Sequence, residues 1–132
     1  MKKSLLALLC LLLLFTLVSC IKATYPFIHP TDEIDRIEIV DAEDIYTFTV
    51  KKTLSDEEKD EFLKQFQKIK FTRYIIGDPL LVGGECIKIT YQSGDYEMVC
   101  HFWNEYVQNG QCHYGWYNCD QQKFLDLLNQ FS

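Results

Sequence analysis

The chain contains no G-x-S-x-G elbow, no phosphate-binding glycine loop, no dinucleotide glycine fingerprint, no H-E-x-x-H and no C-x-x-C. The local signatures of serine hydrolases, nucleotide enzymes, zinc proteases and thioredoxin-like oxidoreductases are therefore missing. Histidine is scarce, with three in 132 residues, which leaves few parts for proton transfer or metal ligation. There is no basic run, and 19 acidic against 13 basic side chains give a formal charge of −6. That balance argues against nucleic acid as a partner and against adhesion to anionic lipid headgroups. Carboxylate runs such as DEEKDE read as the solvated face of a helix, and no acidic cluster is centred on a glycine as a calcium loop would be. Nor is there an internal repeat or a low-complexity block. What is plentiful is aromatic: eight Tyr, nine Phe and two Trp, too many for a disordered chain.

The longest apolar run, Leu5 to Val18, is shorter than the ~20 residues a helix needs to cross ~30 Å of hydrocarbon, and no basic stop-transfer cluster follows it. Lys2 and Lys3 precede the run and the small Ser19 follows it, the layout of an export signal. Leu17, Val18, Ser19 and Cys20 then resemble the lipobox of bacterial lipoproteins. The resemblance covers only the first 20 residues. It implies diacylglycerol on the Cys20 thiol, cleavage before that residue, and a lipid-anchored protein on the extracytoplasmic face of the cell membrane, at the cell surface or in the periplasm. Two acyl chains hold stably because each buried CH₂ contributes ~0.8 kcal/mol, whereas one chain binds marginally. Cys10, inside the leader, reads as a small hydrophobe.

The expected organisation is a signal peptide over 1–19, a lipidated cysteine and tether over 20–32, and a single α+β domain over 33–132. Pro26 and Pro30 discourage regular structure in IKATYPFIHPTDE, which reads as a semi-extended spacer, with docking of Phe27 and Ile28 onto the domain as the alternative. Losing Lys2 and Lys3 takes the formal charge from −6 to −8, and so acidic a body is expected to be repelled by the surface that tethers it. A chain of the remaining length can bury roughly 65 % of its unfolded surface.

Along the domain, Ile37 and Ile39, then Tyr46, Phe48 and Val50, alternate with polar residues as strands do. The connector DAED has no glycine, which favours a longer loop over a tight primed turn. Ser55 and Glu58 form a capping-box pattern, so a helix is predicted over 56–68. A third strand follows at Phe71 to Ile76, ended by Gly77, Asp78 and Pro79. Ser93-Gly94 is expected to close a two-residue hairpin pairing Tyr91 with Tyr96, Ile89 with Met98 and Ile87 with Cys100. That register puts Glu97 on the polar side. Asn109-Gly110 predicts a type I′ turn pairing Val107 with Cys112, Trp103 with Trp116 and Cys100 with Cys119. Asp120 is the expected N-cap of a last helix docked through Phe124, Leu127, Leu128 and Phe131. The element order ββαββββα predicts an antiparallel sheet of about six strands with two helices packed on one face.

Four cysteines follow Cys20. In an exported chain they read first as bridges: Cys100 with Cys119 by hairpin register, and Cys86 with Cys112 as a possible second pair, otherwise free thiols. The register puts Cys100 and Cys119 at a hydrogen-bonded position, the less comfortable one for a bridge. Catalysis by a thiol with His101 or His113 has little support, since the neighbours Cys112 and His113 point to opposite faces of a strand. Zinc ligation by Cys112, Cys119, His101 and His113 fits no known spacing. The expected binding residues are Trp103, Tyr114 and Trp116 with His101, as an aromatic face opposite the core; the alternative is that the tryptophan pair simply stabilises the hairpin, or that a bulge rotates it inward. The function expected is a non-enzymatic interaction module for a protein or glycan ligand, with no cofactor beyond the covalent diacylglycerol and no metal. The rivals are an inhibitor or immunity-type protein against an exogenous enzyme or toxin, and a small thiol- or His-dependent enzyme.

Overall fold

A computed structural model describes residues 1–18, 22–73, 84–115 and 117–132. Helix α1 (Lys2–Val18) carries Leu5, Leu6, Leu8, Leu9, Leu11 and Leu12 exposed, so these leucines are no part of the hydrophobic core. The rest is α+β, as the element order predicts. Strands β1 (Ile34–Ala42), β2 (Phe48–Thr53), β4 (Gly84–Tyr91), β5 (Tyr96–Val99), β6 (Asn104–Gln108) and β7 (Gln111–Tyr114) form one six-stranded sheet in the order β2-β1-β4-β5-β6-β7. Every pairing in it is antiparallel. Two short strands, β3 (Thr72–Arg73) and β8 (Tyr117–Asn118), pair separately. Of the third strand expected over 71–76, only Thr72–Arg73 is strand; the residues from 74 to 76 lie outside the described ones.

Local chemistry accounts for the element ends. Helix α2 (Asp56–Phe66) opens on the capping box: Glu58 N–H donates to Ser55 Oγ at 3.2 Å and Ser55 N–H to Glu58 Oε2 at 2.9 Å. Helix α3 (Gln121–Phe131) opens on Asp120, whose carboxylate accepts from Lys123 N–H at 2.9 Å. In the loop after β1, Asp44 Oδ1 accepts from the N–H groups of Tyr46 and Thr47, both at 2.7 Å, an Asx-type turn that needs no glycine. Asn109 and Gly110 take φ of 53° and 77°, the left-handed values a type I′ turn demands.

Both helices pack on one sheet face. Phe62 and Phe66 from α2 and Phe124, Leu127, Leu128 and Phe131 from α3 are buried. Phe62 stacks on Phe66 at 5.7 Å and meets Phe131 edge-on at 5.4 Å. Ile37, Ile39, Ile87 and Ile89 supply the sheet side. On the opposite face the ammonium of Lys88 sits between the rings of Phe48 and Tyr96, 4.6 and 4.8 Å from their centroids.

Three expectations are corrected. Ser93-Gly94 does not close a two-residue loop: Gly94 N–H donates to Tyr91 C=O at 2.9 Å and Gly94 has φ 91°, the bulged three-residue arrangement. Ile89 therefore faces Glu97 and Ile87 faces Val99, a shift of one residue that turns Glu97 inward. Next, the run CHFW does not continue a strand. Cys100 N–H bonds Trp103 C=O at 3.0 Å, folding β6 back against β5, so Cys100 and Cys119 never face each other across a ladder. Finally, residues 22–30 are no free spacer. Ala23 and Phe71 exchange backbone hydrogen bonds of 3.0 and 2.7 Å, and Tyr25 lies in the core.

Candidate functional site

The centre of the molecule is a carboxylate that the expected register had placed in solvent. Glu97 is fully buried. Tyr25 Oη donates to its Oε1 at 2.7 Å, Tyr91 Oη donates to its Oε2, and Ile28 N–H reaches Oε2 at 3.3 Å. Asn104 Nδ2 donates to Tyr25 Oη at 2.9 Å while Asn104 Oδ1 accepts from Tyr117 N–H at 3.1 Å. Burial pushes the Glu97 carboxyl above its ordinary range, and the hydrogen bonds from Tyr91 and Tyr25 offset part of that rise. The Tyr25 phenol is raised too, by burial first and then by the Glu97 charge. Beside this network His29 Nε2 lies 2.7 Å from Asp95 Oδ2, and Asn109 N–H donates to Asp95 Oδ1 at 3.0 Å. The hydrogen bond from His29 draws the Asp95 carboxyl below its usual value.

Above Glu97 opens a cleft of about 230 Å³. Arg73, Tyr106 and Tyr117 form its walls, Pro26, Ile28 and Tyr114 its rim, and Glu97 and Asn104 its floor. Gly115 is there by necessity. A Cβ on it would lie 2.0 Å from Asn104 Nδ2, and Gly115 N–H bonds Asn104 C=O at 3.0 Å. Tyr114 borders the cleft and is 45 % exposed, but its register partner is Glu105, on the sheet face away from Glu97 and Tyr106, so the cleft itself offers solvent a guanidinium and two partly covered phenols.

Of the residues expected to bind, the described ones, Trp103, Tyr114 and His101, do not gather into one face. Tyr114 borders the cleft just described. Trp103 is 3 % exposed and sits in the core cluster, because the turn at Cys100–Trp103 carries it inward. It is therefore no part of an exposed aromatic patch. His101 packs on Phe102 at 4.7 Å and Phe124 at 6.4 Å, and burial lowers its pKa. Trp116 and Cys20 lie outside the described residues. Among the described residues no group of three or more His, Cys, Asp or Glu side chains is placed to hold a metal ion.

Cysteines 86, 100, 112 and 119 are free thiols here, so neither the Cys100–Cys119 nor the Cys86–Cys112 bridge is present. Cys100 lies 4.4 Å from Cys86 instead. Burial is the main cause that holds the Cys100 and Cys112 thiols high and pushes Cys119 up to about 12, which suits packing rather than nucleophilic attack.

No protein-family model, curated protein or solved structure matches this chain.

Proposed function

We propose that this chain is an exported lipoprotein, held on the extracytoplasmic face of the cell membrane by diacylglycerol on Cys20. Its single domain captures a protein or glycan ligand through the tyrosine cleft, without catalysis. The cleft carries the binding half of this reading. Its size is below the roughly 300 Å³ at which sites for drug-sized ligands begin, so it has room for one sugar ring or one protruding side chain. Tyrosine rings flanking a guanidinium offer stacking, hydroxyl donors and a fixed charge while losing little conformational entropy. The absence of catalysis is favoured by the chemistry nearby: Glu97 is occupied by three donors, and burial holds the Cys100 and Cys119 thiols protonated.

Two observations favour the anchor. Leucines 5, 6, 8, 9, 11 and 12 of helix α1 are exposed rather than packed, as in a segment with a task apart from the domain. No helix among the described residues is long and apolar enough to cross a membrane. A lipid on Cys20 would also act at short range, since three extended residues reach only ~10 Å to the docked Ala23. The exposed Lys22, Lys70 and Arg73 flank that docking point. Each would contribute about 1 kcal/mol toward anionic headgroups, against the repulsion expected of the acidic body as a whole.

Intact mass of the protein from its own membranes tests the anchor; an unmodified Cys20 or a retained leader would overturn it. Co-sedimentation with purified envelope polymer tests the cleft. The wild type is expected to pellet, and Arg73→Ala to stay in solution with an unchanged melting temperature. If neither pellets and one exogenous enzyme co-purifies in stoichiometric amount, the inhibitor reading replaces this one.

A further inference from the structure

The hairpin of β4 and β5 brings two thiols together that the sequence keeps apart. Tyr91 N–H bonds Asp95 C=O at 2.9 Å, and Ile87 faces Val99. Continuing that ladder by one residue sets Cys86 opposite Cys100. Because hydrogen-bonded and non-hydrogen-bonded pairs alternate, this pair is of the non-hydrogen-bonded kind, with its side chains at their closest. The remaining polar contacts agree: Cys100 N–H is turned the other way, to Trp103 C=O at 3.0 Å. The residues lie 4.4 Å apart, within the range from which small rotations close a bridge. Both side chains are buried, yet both border a cleft of about 310 Å³ shared with His101, Phe102, Gln121 and Leu125, which gives a small disulfide a way in.

We propose that Cys86 and Cys100 are a disulfide site, closing β4 onto β5 when the folded chain meets an external disulfide of the glutathione class. The Cys86 sulfur attacks the external disulfide, forming a mixed disulfide and releasing one thiol. The second cysteine sulfur then displaces the other half. The two protons pass to the two released thiolates, and the two electrons given up by the protein reduce the external disulfide to two thiols. The result is a structural staple: it ties the sheet beside the turn that folds β6 back. Cys112, with its sulfur 4.0 Å from Glu105 Oε2, and Cys119 stay as thiols.

The test treats the purified full chain with oxidised glutathione, blocks free thiols by alkylation, and maps peptides without reduction. A Cys86–Cys100 linked peptide is expected, together with an unfolding constant roughly 100-fold smaller than that of the reduced protein. Cys112→Ser with Cys119→Ser should leave the link in place. Overturning results are Cys86 and Cys100 both alkylated after oxidation, or Cys100 linked to Cys119. The same map of protein taken from its own cells separates this site from the export reading. A link that forms in vitro while the cellular protein holds reduced thiols upholds the pair and counts against export, because a link is expected only in an oxidising space.

Discussion

Tyr25 donates its hydroxyl to Glu97 at 2.7 Å across a sequence separation of 72 positions. This bond makes the segment around residue 25 part of the fold. The Tyr25 ring also packs edge-on to Phe71 at 5.1 Å and tilted against Phe66 at 5.5 Å. Tyr25→Phe keeps those ring contacts but leaves Glu97 Oε1 and Asn104 Nδ2 each short of a partner. The expected cost is about 1–3 kcal/mol, read as a lower urea midpoint at unchanged slope.

Glu97 makes stability depend on pH in an unusual direction. Its folded pKa stands above the unfolded value of 4.5, so the folded state keeps a proton that the unfolded state releases. Stability should therefore fall as pH rises through the window between those two values. Asp95, whose folded pKa is lowered, acts in the opposite sense at lower pH: its contribution is present above the unfolded value and fades as acid is added. The difference between wild type and Glu97→Gln isolates the first effect. The variant should gain on the wild type as pH climbs from about 4.5, and parallel urea-midpoint curves would refute the assignment.

Trp103 belongs to the core cluster, whatever its place in an aromatic-rich run suggests. Trp103→Ala should cost about 3–5 kcal/mol through the cavity it leaves. Thermal melting checks it; a loss below about 1 kcal/mol would mean the indole does not pack as described.

Gly115 tolerates no side chain. Gly115→Ala should displace Asn104, sever its bonds to Tyr25 and Tyr117, and destabilise by about 1–3 kcal/mol. Gly84 makes the control, since a Cβ there meets no atom of the described residues within 4 Å. Gly84→Ala should melt within a degree or two of the wild type, about 0.5 kcal/mol at most.

The elements legible from sequence are those governed by neighbours along the chain. Ser55 with Glu58, Asn109 with Gly110, and Asp120 ahead of Phe124 each declare a local hydrogen bond or a required φ, and each is realised. The residues that escaped depend on partners far away. Amphipathic reasoning sends a glutamate outward, so it chose the two-residue turn at Ser93-Gly94; the inward register stands because hydroxyls from Tyr25 and Tyr91 satisfy the carboxylate. The turn at CHFW carries no glycine, proline or asparagine to announce it. Of the described residues of the expected binding face Tyr114 alone borders the cleft, which Tyr106 and Tyr117 line from either side of the Asn109-Gly110 turn.

Asn104 reaches Tyr25 from 79 positions downstream. A chain made at ~5–20 residues per second exposes Tyr25 for roughly 4 to 16 seconds before that partner exists. During this interval the aromatic residues at 25 and 27 have no sheet to lie on, and closing so distant a pair is slow in itself. Residues 25 and 27 are thus among the last to find their places, and until then an aggregation-prone aromatic stretch needs shelter.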